Sequence, residues 1–265
     1  MSENNFFEIT SLNNETVKNV VKLQQKKYRK ERGFIFLEGE KSLTGALEAK
    51  VKLKSIFYLD EKNISAFKNL DGVDFYKVNE KVMDKIATVK TASSIAAVAL
   101  EPKYSLDETL KCDKLVLLDN IKDAGNLGTI IRSACAFGVD GILLYGQCVD
   151  EFSSKVIRSS AGNIFKIPIV HLGEGISVMQ KIKKTHKIIS TVAPFGEFGK
   201  KAHDCQKIEY PKKHVLALGS EANGLCKEIL QISDLFVTLK NENNVESLNL
   251  AVFAGIIFYI INSKK

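Results

Sequence analysis

Short, fully apolar runs that recur between helical patterns constrain the fold of this chain more than any other feature of its sequence. Residues 115–118 read Leu-Val-Leu-Leu, which is typical of a strand buried on both faces of a parallel sheet. Similar runs follow at 141–145, 167–172, 188–192 and 215–218. The alternation predicts a doubly wound α/β sheet that binds its ligands at the carboxyl ends of the strands.

A second, smaller alternation of apolar runs and helical patterns occupies residues 34–100 and predicts a small α/β unit. The polar stretch 101–105 separates the two alternations and holds one of only four prolines in the chain. Polar residues and proline are typical of linkers between domains. We therefore expect an N-terminal domain at 1–104 and a second domain at 105–265.

Charge and composition narrow the function classes. The formal net charge of +7 suits an acidic partner such as nucleic acid, although many basic proteins bind none. The five cysteines form no CxxC pair and the four histidines have no zinc spacing, so we expect a reducing, cytoplasmic location and no metal. The N-terminus has neither a basic region nor an apolar region of the secretory kind, so secretion is not expected.

Residues 13–32 have the apolar spacing of a single helix that ends at Gly33. The polar side of this helix is cationic, and two interpretations remain open. A solvated helix face is the commoner explanation, and contact with RNA phosphates is the other. The second interpretation assigns RNA binding to Lys22, Lys26, Lys27, Arg29 and Lys30.

The last apolar run, 248–261, is apolar on nearly every side apart from its start, which predicts a buried helix. It is shorter than the ~20 residues that a membrane span needs. Ser247 and Asn249 lie at its first turn, where backbone N–H groups lack partners within the helix. Either Ser247 caps the helix and Asn249 is incidental, or both belong to a ligand site.

Two further loops follow apolar runs and carry polar residues. Asn126 follows the run at 115–118, and Arg132 lies in an otherwise apolar helical turn. Arg132 either pairs with a nearby aspartate or clamps an RNA phosphate with its planar donors. The stretch 219–224 has a glycine at each end, which allows a ligand to approach the backbone closely. Residues 173–175 read Gly-Glu-Gly but lack the third glycine of a dinucleotide fingerprint, so we interpret them as a helix start.

Three loops together resemble motifs 1, 2 and 3 of the SpoU/TrmH family of RNA 2′-O-ribose methyltransferases. They are 119–132 with its GNLGTIIR core, 218–225 (LGSEANGL) and 246–249 (ESLN). The resemblance covers about residues 113–262, and the N-terminal part resembles the L30e-like substrate-binding domain of rRNA members, most clearly at FLEG, residues 36–39. One departure lies before motif 3, where the proline-containing stretch of the family is replaced by a charged one at 239–243.

The resemblance implies an L30e-like N-terminal domain followed by a SPOUT, or α/β-knot, parallel-sheet domain with a trefoil knot near its carboxyl end. It implies S-adenosylmethionine as cofactor, no metal, a homodimer with a site built across the interface, and an RNA substrate, with rRNA favoured over tRNA. An RNA-binding module without catalysis and an enzyme acting on a small molecule are the alternatives.

Site residues follow from the resemblance by motif position. The catalytic and substrate-binding set is Asn126, Arg132, Glu221, Ser247 and Asn249. The set implied to bind the methyl donor is Thr191, Gly219, Leu239, Ser247 and Leu248. Arg132 would also contact RNA, either as a base or as a group that orients the nucleophile and stabilises charge; a guanidinium pKa above ~12 makes the second role at least as plausible.

Overall fold

The computed structural model describes residues 4–240 and 248–263. The chain forms two compact units, the first made of residues up to Lys103 together with Phe152–Lys166, and the second made of Tyr104–Glu151 and the residues from Ile167 onward. The strands and helices, in chain order, are β1 (Asn5–Ile9), α1 (Glu15–Lys22), α2 (Lys26–Arg32), β2 (Phe34–Glu38), α3 (Glu40–Glu48), β3 (Leu53–Tyr58), β4 (Asp74–Val78), α4 (Glu80–Ile86), β5 (Ile95–Leu100), α5 (Leu106–Thr109), β6 (Lys114–Asp119), α6 (Ala124–Ala136), β7 (Gly141–Tyr145), α7 (Ser154–Ser159), β8 (Ile169–Gly173), α8 (Ile176–Lys183), β9 (Lys187–Thr191), α9 (Gly196–Gly199), β10 (His203–Asp204), β11 (His214–Leu218), α10 (Lys227–Ile232), β12 (Leu235–Thr238) and α11 (Leu250–Ser263).

The first unit is built on a five-stranded sheet with the order β1-β4-β3-β5-β2. β4 pairs in parallel with both β1 and β3, whereas β5 pairs antiparallel with β2 and β3. Phe36 of β2 and Phe57 of β3 pack with Val82 and Ile86 of α4 in its core. The predicted small α/β unit is therefore a mixed sheet with helices packed on it.

The single helix predicted over 13–32 is wrong, because the structure has two helices, α1 and α2. The break comes where Leu23 packs into the core, with 4% of its surface exposed. Next to it, the Gln24 side chain donates to the carbonyls of Ile86 (3.1 Å) and Ala87 (3.3 Å). These contacts are made to residues distant in sequence, so the local apolar spacing does not reveal them. Gly33 ends α2 in the left-handed conformation (φ 69°), as expected.

Residues 152–166 belong to the first unit, although the sequence places them in the second domain. Arg158 of α7 lies 3.4 Å from the buried carboxylate of Glu38 and also donates to the Thr88 hydroxyl. The segment passes so close to α3 that a Cβ atom on Gly45 would lie 2.7 Å from the Gly162 carbonyl oxygen. Such long-range packing leaves no periodic signal in the sequence.

The second unit is built on a seven-stranded sheet with the order β10-β12-β9-β11-β6-β7-β8, and all strand pairings among its described residues are parallel. Every residue of β7 and of β11 is buried, so both faces of the sheet are covered. The predicted parallel α/β sheet is confirmed. The knot stays a prediction, since residues 241–247 lie outside the described part of the chain.

Helix α11 is not buried on all sides, contrary to the sequence prediction. Ala254, Ile257 and Phe258 are buried. On the other side, Val252, Ile256 and Tyr259 are 53%, 37% and 60% exposed. The chain therefore carries an exposed apolar face along α11. Across the described residues, no helix combines the length and the apolar character that a membrane span requires.

Candidate active site

The loops that follow β6 and β11 are fixed to each other by the buried carboxylate of Asp119, whose exposed fraction is 1%. Its Oδ2 accepts a hydrogen bond from the Cys226 backbone N–H at 2.6 Å, and its Oδ1 accepts one from the Asn120 side chain at 2.6 Å. Both loops leave the carboxyl ends of neighbouring parallel strands. This is the edge at which the sequence predicts a ligand site.

Three predicted site residues meet at this edge and form what we call the amide–carboxylate cluster: Asn126, Glu221 and Asn249. Glu221 Oε1 accepts from Asn249 Nδ2 at 3.0 Å, from Asn126 Nδ2 at 3.4 Å and from the Leu250 backbone N–H at 2.9 Å. Asn249 Nδ2 also donates to Asn126 Oδ1 at 3.0 Å. The three side chains therefore hold one another in place, even though they come from different loops.

Helix caps fix the two asparagines of the cluster. The Asp123 carboxylate caps α6 by accepting the Asn126 backbone N–H at 2.7 Å. Asn249 caps α11, because its Oδ1 accepts the backbone N–H groups of Ala251 (3.0 Å) and Val252 (3.3 Å). The interpretation in which Asn249 is incidental is therefore wrong. Ser247, to which that interpretation gave the cap, lies outside the described residues.

Arg132 is not brought into the cluster. It lies on the exposed side of α6, which it shares with Thr129 and Ala136. Within residues 4–240 and 248–263 the Arg132 guanidinium has no hydrogen bond and no ion pair. Pairing with a nearby aspartate, one of the two interpretations of this residue, therefore has no support among the described residues.

A cavity of about 600 Å³ lies beside the cluster in the second unit. It is lined by Thr191, Gly219, Leu239 and Leu248, which are the described members of the set implied to bind the methyl donor. Its wall also includes Phe195, which the sequence did not indicate and which is 64% exposed. We call this space the first cavity. Its size is within the range of cofactor sites.

Two features of the first cavity fit a bound cofactor. A Cβ atom on Gly219 would lie 2.1 Å from the Gly224 backbone carbon, so only glycine allows the two backbone stretches to pass this closely. Thr238 lines the cavity, and its hydroxyl is buried and has no hydrogen-bond partner among the described residues. A buried hydroxyl without a partner is costly unless a ligand supplies one.

A second cavity, of about 570 Å³, shares a wall with the first. Ser220, Glu221 and Leu250 line both cavities, and Asn126 lines the second. The amide–carboxylate cluster therefore lies between the two spaces. Lys122 and Gln147 also line the second cavity. Gln147 is absent from the residues predicted from the sequence, although it lies just after β7, at the same kind of strand end as the other loops.

The cysteines near these loops are unsuited to nucleophilic chemistry. Burial raises the pKa of the Cys226 thiol to about 12, and burial also raises the pKa of Cys148. A thiol with a raised pKa carries almost no thiolate at neutral pH. Among the residues that the structure describes, no group of histidine, cysteine, aspartate or glutamate side chains could hold a metal ion.

The cationic residues of α1 and α2, in the first unit, differ in their surroundings. Arg29 is buried and donates to the Leu23 carbonyl at 2.7 Å, so it cannot bind RNA as predicted from the sequence. Lys30 lies 2.7 Å from the Glu101 carboxylate, and the Lys22 ammonium lies 6.0 Å from the centre of the Tyr28 ring. The exposed residues of the predicted set that have no partner among the described residues are Lys26 and Lys27.

Comparison with known proteins matches both units. The model of the SpoU rRNA Methylase family matches residues 113–259, and that of the MRM3-like substrate binding domain matches residues 14–97. The chain is 31% identical to the 23S rRNA (guanosine(2553)-2′-O)-methyltransferase RlmP of Bacillus subtilis, over 95% of this chain and 98% of the relative.

Solved structures give the same result. An AdoMet-bound rRNA methyltransferase from Sinorhizobium meliloti has a TM-score of 0.85 and 29% identity, with 98% of each chain covered. The SpoU methyltransferase AviRb from Streptomyces viridochromogenes has a TM-score of 0.84 over 95% of this chain and 98% of that one; at 22% identity it supports the fold alone.

Proposed function

Since this chain belongs to the SpoU rRNA Methylase family, we infer that it transfers a methyl group from S-adenosylmethionine to a ribose 2′-hydroxyl of rRNA. The observation that carries this conclusion is the amide–carboxylate cluster, which lies between a cofactor-sized cavity and a second cavity. The relative named for a guanosine of 23S rRNA supports a guanosine of that RNA as the acceptor.

The test is methyl transfer by the purified protein. Ribosomal RNA from cells that lack the gene would be incubated with tritiated S-adenosylmethionine, and the product would be digested to nucleosides. We expect tritium in a 2′-O-methylated nucleoside. A methyl group on a base would overturn the reaction assignment, and transfer to tRNA but not to rRNA would overturn the substrate assignment.

The first cavity is the proposed cofactor site. When bound, S-adenosylmethionine supplies an electrophilic methyl group on a sulfonium. Gly219 and Leu239 would contact it through backbone atoms, and Leu248 would cover its apolar part. The Thr238 hydroxyl would gain the hydrogen-bond partner that it lacks among the described residues.

The cluster is proposed to position the acceptor ribose. Glu221 Oε1 already accepts three N–H donors, so it is better suited to orienting the two asparagines than to removing a proton. The Asn249 side chain uses both its N–H groups and both its lone pairs within the cluster and the helix cap. Asn126 keeps one N–H group and one lone pair for a ribose hydroxyl. Because the geometry exists before binding, positioning would supply much of the rate.

Arg132 is proposed to act across a homodimer interface. It lies outside the cluster of its own chain, yet it is exposed and has no partner among the described residues. The neighbouring helix α11 carries the exposed apolar face described above, and its Tyr259 packs edge-on against Phe137 at 5.8 Å between ring centres. A two-fold interface of this kind would cover the apolar face and would bring Arg132 to the partner's cluster.

The homodimer is tested with Tyr259→Asp, which places a charge on the exposed face away from the cluster. We expect loss of both the dimer and the methyl transfer, measured by light scattering and the tritium assay. Ile176→Asp, at a residue of α8 that is 41% exposed, is the matched control. A folded Tyr259→Asp monomer with full activity would contradict the shared site.

The first unit is proposed to bind the RNA substrate. Support comes from its match to a substrate-binding domain and from the exposed Lys26 and Lys27. A binding module without catalysis remains the alternative, and the intact cluster favours the enzyme. We propose a cytoplasmic location, in keeping with five cysteines of which none is in a disulfide.

A further inference from the structure

We propose that the second cavity holds the acceptor nucleotide and that Gln147 and Lys122 recognise its base, which we infer to be guanine. This inference rests on the proposed function and adds the residues that select the nucleotide. The cavity of about 570 Å³ has room for one nucleotide, and it borders the first cavity along Ser220 and Glu221. A nucleotide in it would have its ribose beside Asn126 and its base toward the Gln147 end.

Gln147 is presented by a loop that is held firmly at the end of β7. Its backbone N–H donates to Asn120 Oδ1 at 2.9 Å, and two residues later the Val149 N–H donates to the Ile121 carbonyl at 2.7 Å. A Cβ atom on Gly146 would lie 2.7 Å from Asn120 Oδ1, so the loop fits tightly against its neighbour. The Gln147 side chain is exposed. A fixed backbone therefore presents a free amide to the cavity.

Lys122 reaches the same cavity from the loop after β6. Its side chain is exposed, and neither this side chain nor that of Gln147 has a hydrogen bond or ion pair within the described ranges. The two side chains thus bring donors and one acceptor that no protein group uses. These are the groups that read the edges of an unstacked base.

Guanine matches this pair of side chains. Its O6 and N7 are adjacent acceptors, which lysine binds readily, and its N1–H and amino group can donate to the glutamine oxygen. Uracil has no amino donor, and adenine has no O6 acceptor. The chemistry of the two side chains therefore favours guanosine over uridine and adenosine.

The experiment measures kcat/KM for methyl transfer to rRNA from cells that lack the gene. Gln147→Ala and Lys122→Met are each expected to lower it by about 5- to 150-fold, the usual range for a base contact. The Kd for S-adenosylmethionine should not change. Lys122→Arg should retain most of the activity, because arginine also donates to O6 and N7. Gln231→Ala and Lys184→Met alter exposed residues that line neither cavity and are the matched controls.

Base analogues separate recognition from a structural effect. Once the acceptor is mapped, transcripts with 7-deazaguanosine or inosine at that position remove N7 or the amino group. The wild type should transfer methyl groups more slowly to the 7-deazaguanosine transcript than to the guanosine transcript, whereas Lys122→Met should transfer to both at nearly the same rate. Inosine should likewise slow the wild type but have little effect on Gln147→Ala. Equal losses by wild type and variants on every analogue, or variants as active as wild type, would overturn the inference and leave the proposed function standing. A wild type that transfers no methyl group would overturn both.

Discussion

The amide–carboxylate cluster and the cationic stretch of α1 and α2 differ in how many of their polar side chains have hydrogen-bond partners within the protein. In the cluster, Glu221 accepts three hydrogen bonds from groups on two other loops. In the cationic stretch, Lys26 and Lys27 are exposed and have no partner among the described residues, whereas Arg29 is buried. A site that performs chemistry is thus held rigid before its ligand arrives, and a surface proposed to hold RNA keeps its long side chains adaptable.

Arg132 gives the strongest test of this difference, because it belongs to the second unit but is as exposed as the lysines. We expect Arg132→Ala to lower turnover by ~10² to 10⁴, the range for a lost acid–base or charge-stabilising group. The Kd for S-adenosylmethionine should stay near that of the wild type. Tritium transfer and isothermal titration measure the two effects.

Arg132→Lys should not restore activity, since a single ammonium cannot replace a planar, two-pronged donor. Arg32→Ala removes another exposed arginine, in the first unit, and serves as the control for lost charge. An Arg132→Ala protein with wild-type turnover would show that Arg132, like the exposed lysines of α2, takes no part in catalysis.

Gly219→Ala tests the rigidity of the site. The added Cβ would lie 2.1 Å from the Gly224 backbone carbon, and forced overpacking of this kind costs about 1–3 kcal/mol. We expect the Kd for S-adenosylmethionine to rise by roughly 5- to 150-fold. Gly255→Ala is the control, because its Cβ would come no closer than 3.6 Å to Ser133 Oγ. An unchanged Kd for S-adenosylmethionine in Gly219→Ala would show that the loop after β11 is flexible enough to accommodate the added Cβ atom.

Alanine substitutions at neighbouring positions of the cationic stretch should affect different properties, RNA binding at some and folding stability at others. Lys26→Ala and Lys27→Ala should each weaken RNA binding a few-fold and lower the slope of log Kd against log salt by about 1. Arg29→Ala should instead lower the free energy of unfolding by about 1–3 kcal/mol, because it removes a buried charged hydrogen bond to Leu23. Filter binding over a salt series and urea melts distinguish the two. A normal fold with lost RNA binding in Arg29→Ala would reverse this assignment.

These two regions also show what the sequence can predict. The strand-end loops were predicted well, because the carboxyl ends of parallel strands meet at one edge and each loop carries a motif. The burial of Arg29 was not predicted. It depends on the break between α1 and α2, which Leu23 and Gln24 create through contacts with residues distant in the sequence. Gln147 was missed because its loop carries no family motif, and Ser247 lies outside the described residues.

The smallest expected effect lies at the other end of the parallel sheet, where His214 begins β11. Burial lowers the pKa of His214 below its ordinary value of 6.5, and a hydrogen bond from its Nδ1 to the Pro211 carbonyl opposes this in part. The unfolded chain therefore takes up a proton near pH 6.5 while the folded chain does not. Stability should be highest above pH 6.5 and should fall between 6.5 and the lowered pKa.

One proton changes the free energy of unfolding by at most about 1.4 kcal/mol per pH unit. Urea melts of the wild type and His214→Gln between about pH 5.5 and 7.5 should show a shallower pH dependence in the variant, while the Kd for S-adenosylmethionine at about pH 7.5 stays the same. Identical slopes would mean that His214 does not couple folding to pH.

The hydrogen bond between Asn249 and Asn126 has a consequence for the timing of synthesis. The two residues are 123 positions apart in the chain. At a typical rate of 5–20 residues per second, the ribosome adds Asn249 about 6 to 25 s after Asn126. During that interval the strands β7 to β12 are synthesised, but the cluster lacks one of its members. The growing chain therefore cannot complete the amide–carboxylate cluster until Asn249 has been added.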